Sequence, residues 1–235
     1  NPFFSNNQAR RDERNNKIKD YYAERGLIYK NEKGDGDCLY RALIRLGHND
    51  VLKKHIIRSK EVEDLRKQIA DNLQNKVFDN RKINHQLIEG ILDNIEDGRN
   101  VHHNDIFKAI DKLGKVDNNI IDKDINNYTN DELDTILSFY LDKKRNYDWG
   151  GEIDILIWTE LNKKPIHRYI DNNSIEDLQK GNYISESMAI GTKYKNKDNN
   201  LYALHYHDSH YSSVQHISNL PDDEIDKLLN QNEKK

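Results

Sequence analysis

The sequence predicts an α+β fold in which a small mixed β-sheet is flanked by helices. Short runs rich in β-branched and aromatic residues occur near both ends of the chain, at residues 27–30, 165–170, 201–207 and 211–217. Between the first run and the others, apolar residues recur at the three- and four-residue spacing of amphipathic helices. The strands must therefore assemble from distant parts of the chain around a long helical segment.

Composition limits the class of protein. A length of 235 residues is enough for one domain spanning 1–235, and a net charge of −4 without a Lys/Arg cluster gives no reason to expect nucleic acid as a partner. No run is long enough to span a membrane, and no signal peptide is visible. One cysteine excludes an intramolecular disulfide and a cysteine-based zinc site. A single cysteine also fits a reducing compartment, so we expect a cytoplasmic protein, and we expect it to be a monomer.

The first element is predicted to be a surface helix over residues 1–26. Its main apolar positions are Ile18, Tyr21 and Tyr22, and Gly26 fits the place where a helix ends. The role expected for this segment is scaffolding.

The strongest candidate site lies where a glycine turn meets an amphipathic helix. Cys38 follows Gly34 and Gly36, and the apolar residues after it keep helical spacing up to Gly47. A helix is therefore predicted to begin at or near Cys38, where the unpaired N–H groups and the positive end of the dipole favour the thiolate. The glycine turn can present N–H groups to an oxyanion. The alternative interpretation is a small buried core residue.

A base for this thiol is predicted near the other end of the chain. Residues 201–207 alternate as a strand does, and Asp208 and Ser209 have turn composition. His210 therefore stands where a hairpin enters its return strand. Imidazole titrates near neutral pH, and the partner of a catalytic cysteine need not be near it in the chain.

The middle of the chain is predicted to be helical. A helix through residues 62–77 is followed by a helical insertion at 80–128, and a capping box at Thr129 predicts the next helix. Residues 171–200 are polar and nearly unpatterned, so we expect a variable loop there. A final helix and tail are expected at 219–235.

Three blocks of sequence, in order, carry a resemblance to a known family. Residues 34–42 resemble the nucleophile motif of the ovarian tumour (OTU) family of cysteine proteases, and residues 210–214 resemble its histidine motif. Residues 148–161 and 165–169 are similar to the Trp-Gly-Gly-Glu, helix and strand block that lies between those motifs in OTU domains. The resemblance implies an OTU-like, papain-like fold.

The resemblance also implies roles for individual residues. Cys38 corresponds to the nucleophile, His210 to the general base, and Asp35 to the acidic residue counted with the active site. Gly36 and Asp37 belong to the loop whose N–H groups would face the oxyanion.

One position departs from the family pattern. Many members have Asp or Asn two residues after the histidine to orient the imidazole, whereas this chain has Ser212. A hydroxyl can accept a hydrogen bond from the imidazole N–H but carries no negative charge to stabilise the imidazolium. Asp208 and Asp35 are the alternative sources of that charge.

Trp149, Gly150 and Gly151 are candidates for lining the channel that receives an extended substrate tail, with plain core packing as the alternative. The insertion at 80–128 is a candidate substrate-binding arm or, equally, a packing accessory.

The function implied by this resemblance is that of a deubiquitinase. It would hydrolyse ubiquitin–protein or ubiquitin–ubiquitin linkages through a Cys38 thioester, with ubiquitin or polyubiquitin as its partner. This mechanism is expected to need neither a metal nor an organic cofactor. The alternatives are a weak or inactive OTU-like ubiquitin-binding module, and a protease for a ubiquitin-like modifier or a polyprotein. The Asn-, Lys- and Ile-rich composition fits an AT-rich genome. An effector of an intracellular bacterium that acts in the host cytosol would fit both this composition and the family resemblance.

Overall fold

The computed structural model describes residues 15–48, 56–78, 129–146, 149–171, 184–194, 202–207 and 210–217. The predicted insertion at 80–128 and the predicted helix and tail at 219–235 lie outside these residues. The chain divides into two compact units, one formed by residues 1–57 with 158–235 and the other by residues 58–157.

Among the described elements, one helix precedes the first strand, four helices follow it, and the other four strands lie in the last third of the chain. The helices are α1 (15–23), α2 (Cys38–His48), α3 (Ser59–Phe78), α4 (Asn130–Asn146) and α5 (Glu152–Asn162), with a 3₁₀ turn at Thr192–Tyr194. The strands are β1 (Leu27–Lys30), β2 (Ile166–Asp171), β3 (Ile184–Ile190), β4 (Tyr202–His207) and β5 (His210–His216).

The five strands form one mixed sheet in the order β1-β5-β4-β2-β3. Strand β2 runs parallel to β4, and the other three pairings are antiparallel. The predicted α+β class, with a small mixed sheet and flanking helices, is confirmed, and each of the four predicted strands is present within one residue of its expected ends.

Strand β3 was not predicted, and the expectation of a loop throughout residues 171–200 is wrong. The segment Ile184–Ile190 pairs with β2 along its length, although its sequence ISESMAI is only weakly apolar. It lies at the edge of the sheet, where the hydrogen bonds of one neighbour suffice, so the local pattern carries little signal.

Helix α1 is more than a surface scaffold, because one of its faces enters the core. Tyr22 is completely buried, and Ile18 packs with it against apolar residues of β1, β4 and β5. Gly26 ends the segment in the left-handed region at φ 66°, and its carbonyl accepts the N–H of Ile217 at 3.0 Å. Both buried residues are among the main apolar positions of the sequence in this segment, and only the extent of their burial was not predicted.

The second unit contains the helix predicted through residues 62–77, now α3, packed against α4. Arg145 of α4 donates to Asp71 of α3 at 2.8 Å. Lys144 pairs with Asp154 at 3.0 Å and also donates to the carbonyl of Trp149 at 2.7 Å. None of the described helices is long and apolar enough to cross a membrane.

Candidate active site

The site begins at the first residue of α2. The helix starts at Cys38, as the apolar spacing predicts, and the carbonyl of Asp37 accepts the N–H of Arg41 at 3.0 Å in its first turn. Gly36 has a φ of 87°, a left-handed conformation that costs glycine no steric strain. The turn and the helix together place the sulfur of Cys38 at a helix N-terminus, where the residue is 6% exposed.

Strand β5 brings the predicted base to this helix. The N–H of Tyr211 donates to the Cys38 sulfur at 3.5 Å, although the two residues are 173 positions apart. The ring of His210 lies against the glycine turn, since a Cβ placed on Gly34 would be 3.7 Å from its Nδ1. Cys38 and His210 are thus held on adjoining segments, and a side chain at position 34 would come into contact with the imidazole.

The other ring nitrogen of His210 faces Asn31, a residue that sequence reasoning missed. Nε2 of His210 lies 2.9 Å from Oδ1 of Asn31, and the hydroxyl of Ser212 donates to the same oxygen at 3.1 Å. Asn31 directly follows β1, whose last pair is Lys30 with Ser213, so the strand pairing places it opposite Ser212. Asn31 could have been identified from the sequence only if the pairing of β1 with β5 had been known.

Asp35 is held by an arginine of the same motif. Both guanidinium nitrogens of Arg41 contact the carboxylate, one of them at 2.9 Å, and Lys33 lies 3.4 Å away. The Arg41 hydrogen bond is the main reason why the pKa of Asp35 falls to about 2. The N–H of Asp37 also donates to Asp35, at 3.3 Å, so the carboxylate ties the glycine turn to the first turn of α2.

A second, buried ion pair anchors the segment that carries Asn31. Glu32 accepts from Arg45 of α2 at 2.5 Å and from the hydroxyl of Ser213 of β5 at 3.4 Å. Both charged residues are less than a tenth exposed. The pair therefore joins the end of β1 to α2 and β5, the two elements that bear Cys38 and His210.

Burial is the largest influence on the pKa values of Cys38 and His210. It raises the pKa of the Cys38 thiol, and this outweighs the opposite effect of the backbone N–H groups of Tyr211, Leu39 and Cys38 itself. Burial, followed by the nearby His205, lowers the pKa of His210. The N–H groups at the start of the helix favour the thiolate, as the sequence predicts, but desolvation outweighs them, and the two shifts together favour a thiol beside a neutral imidazole.

Comparisons with known proteins concern the fold. No protein-family model and no curated protein matches the chain. Among solved structures, it is similar to the OTU domain of OTUD1, with 16% identity over 85% of this chain and 92% of that one, at a TM-score of 0.46. It is also similar to the viral OTU domain protease from Farallon virus, with 12% identity, 80% and 83% coverage and a TM-score of 0.45. A third structure is an OTU domain in complex with ubiquitin, with 18% identity, 87% and 81% coverage and a TM-score of 0.38. All three are OTU domains.

The remaining residues singled out by the OTU resemblance fall into three groups. Ser212 is completely buried, and its hydroxyl donates to Asn31, the residue that also contacts the imidazole. Asp208 lies outside the described residues. Trp149, Gly150 and Gly151 belong to the second unit, where Trp149 is 61% exposed, contrary to the core-packing alternative.

Proposed function

We propose that the chain is a thiol-dependent isopeptidase of the OTU type that cleaves ubiquitin from proteins or from other ubiquitins. One observation carries the chemistry: Cys38, at a helix N-terminus, contacts the backbone beside His210, while the far nitrogen of that imidazole is held by Asn31. A cysteine, an imidazole and an orienting amide are the components of nucleophilic acyl transfer by a thiol. The choice of ubiquitin rests on the resemblance of residues 34–42 and 210–214 to the OTU motifs.

The proposed reaction starts from the thiol and the neutral imidazole. Nδ1 of His210 takes the proton of the Cys38 thiol as the sulfur attacks the carbonyl carbon of the ubiquitin C-terminal glycine. The oxyanion then collapses, the carbon–nitrogen bond breaks, and His210 gives the proton to the leaving amine. Water, deprotonated by His210, attacks the thioester and releases the ubiquitin carboxylate and the free thiol. The balance needs no metal, oxidant or organic cofactor.

In this proposal Asp35 acts at a distance from the reacting atoms. Its carboxylate holds the turn through Arg41, and its negative charge raises the pKa of His210 against the effect of burial. The loop at Gly36 and Asp37 is proposed to face the oxyanion. Because the Asp37 N–H donates to Asp35 in the resting structure, that amide must turn toward the substrate to serve there.

The test is a covalent one. The wild type, Cys38→Ala and His210→Ala are incubated with ubiquitin that carries a thiol-reactive group at its C-terminus, and the products are read by intact mass. We expect one ubiquitin added to the wild type, none on Cys38→Ala, and slow addition to His210→Ala. His48→Ala is the matched histidine control, because His48 lies ten residues, or about 15 Å, along α2 from the thiol.

Other results would identify the competing functions. Addition of a ubiquitin-like modifier in place of ubiquitin would assign the chain to that modifier. Binding of ubiquitin without an adduct would favour the inactive binding module. A folded protein that neither binds nor reacts with ubiquitin would exclude the proposal and leave a polyprotein protease to be tested. The proposal requires a cytoplasm that contains ubiquitin, which is the cytosol of a host cell if the protein is an effector.

A further inference from the structure

Four side chains of β1, β5 and the residue after β1 lie on one face of the sheet and form a continuous line to His210. Tyr29 and Asn31 are two residues apart along one strand line, as are His210 and Ser212 along the next. Residues at that spacing point to the same face of a sheet. The hydroxyl of Tyr29 donates to Ser212 at 3.3 Å, and Ser212 donates to Asn31 at 3.1 Å, the amide that contacts His210 at 2.9 Å.

The direction of these bonds determines which nitrogen of His210 carries the proton. A serine hydroxyl has a single proton, so a donor at its oxygen leaves that proton for Asn31. Two donors, Ser212 and His210, then converge on the two lone pairs of one amide oxygen. Asn31 therefore presents its oxygen to the ring, and this contact places the hydrogen of the neutral His210 on Nε2, so that Nδ1 can accept the thiol proton. The backbone of Glu32 also hydrogen-bonds the ring and raises its pKa.

The start of this line is held in place by aromatic packing. The Tyr29 ring stacks on Tyr22 with centroids 5.7 Å apart, and it meets the ring of His205 edge-on at 5.5 Å. Ser212 is completely buried and lies directly opposite His205 in the pairing of β4 with β5. The Tyr29 hydroxyl is thus presented to Ser212 by a ring that packs against two buried aromatic neighbours.

We propose that Tyr29 is a positioning residue for His210, which it keeps in the Nε2–H tautomer by acting through Ser212 and Asn31. The proposal deepens the proposed function, because it rests on the pairing of His210 with Cys38. It assigns a role to Ser212 at the position where the OTU pattern has an acidic or amide residue. In this role Ser212 orients the amide of Asn31, and Asn31 in turn orients the imidazole of His210.

The test needs no ubiquitin, because Cys38 is the only cysteine of the chain and its alkylation by iodoacetamide can be read by mass as a function of pH. Tyr29→Phe keeps the ring and removes only the hydroxyl. We expect it to slow alkylation near neutral pH about three- to tenfold, the loss of one hydrogen bond. Ser212→Ala should slow it at least as much, and the double variant should equal Ser212→Ala, because Tyr29 acts only through the serine.

Tyr194→Phe is the matched control. It removes a hydroxyl that contacts Glu160 at 2.8 Å, away from the site, and should leave alkylation unchanged. An unaltered rate in Tyr29→Phe, or a double variant whose effect is the sum of the two single effects, would overturn the proposal.

A measurement on the wild type removes any dependence on the folding of variants. Nitrogen-15 chemical shifts of the His210 ring distinguish the two neutral tautomers, and we expect the hydrogen on Nε2; a hydrogen on Nδ1 would contradict the proposal. If ubiquitin forms no adduct but the tautomer and the alkylation pattern are as expected, the proposed function fails and the role of Tyr29 stands. If the ubiquitin adduct forms but the hydrogen of His210 is on Nδ1, the proposed function stands and the role of Tyr29 fails.

Discussion

Oδ1 of Asn31 lies 2.9 Å from Nε2 of His210, joining the end of the first strand to the start of the last. A neutral amide can orient an imidazole but cannot stabilise its positive form as a carboxylate does. This agrees with the low pKa of His210, which burial and His205 depress. The lowered pKa extends to lower pH the range in which the imidazole is neutral and can accept a proton.

The first prediction concerns this amide. Asn31→Asp should raise the pKa of His210, because a carboxylate stabilises the imidazolium. The reaction needs the neutral imidazole. The acid limb of the pH profile of ubiquitin adduct formation should therefore move to higher pH. Asn31→Ala should slow ubiquitin adduct formation roughly 10- to 100-fold without that shift. An acid limb of Asn31→Asp that coincides with the wild type would contradict the role of Asn31.

The second prediction separates the two effects of Asp35. Asp35→Asn should lower the pKa of both Cys38 and His210, because the carboxylate raises both. The pH dependence of Cys38 alkylation should then move to lower pH. Arg41→Lys loses the two-pronged contact but keeps the carboxylate, so it should slow adduct formation a few-fold, about 1 kcal/mol, and leave the pH profile in place. Equal shifts in both variants would show that the loop alone matters.

The same carboxylate links stability to acid. The pKa of Asp35 is about 2 in the folded protein against an ordinary 3.8. Its contribution to folding is therefore complete above pH 3.8 and disappears as the pH falls toward 2. Asp35→Asn should remove this part of the acid dependence, which urea unfolding across that range would measure.

The third prediction concerns the buried pair behind the site. Arg45→Met leaves the Glu32 carboxylate buried without this cation and should cost about 3–5 kcal/mol of unfolding free energy. Adding Glu32→Gln should recover part of that loss, because the uncompensated charge is then removed. Lys60→Met, which breaks an exposed pair with Asp64, is the control and should leave the urea midpoint unchanged. If Glu32→Gln lowers the unfolding free energy of Arg45→Met further, the loss is not caused by an uncompensated charge.

The fourth prediction concerns the buried histidine beside the site. The Tyr22 hydroxyl lies 2.8 Å from Nδ1 of His205, and Asp171 lies 2.9 Å from the other ring nitrogen. Burial raises the pKa of Tyr22, so the hydroxyl stays protonated and shares a hydrogen bond with that nitrogen. Tyr22→Phe should cost about 1–3 kcal/mol, read by urea unfolding, because the buried imidazole nitrogen loses this hydrogen-bond partner. Tyr21→Phe, on the same helix but only partly buried, should cost clearly less.

Elements defined by local pattern were predictable. The start of α2 at Cys38, the strand β1 and the entry of His210 into β5 all depend on spacing and turn composition within about ten residues. The motifs at both ends added the expectation that Cys38 and His210 meet. The edge strand β3 was missed, because a single neighbouring strand supports it and its sequence is only weakly apolar.

The sequence by itself determined the α+β class, the helix that begins at the cysteine and the strand that carries the histidine, since each depends on short-range periodicity. Only the tertiary structure decided what surrounds them. The pairing of β1 with β5 places Asn31 beside His210, and the packing of α2 on both buries Glu32 with Arg45. The two contacts join residues 179 and 13 positions apart, and their energies depend on burial, which no local pattern encodes.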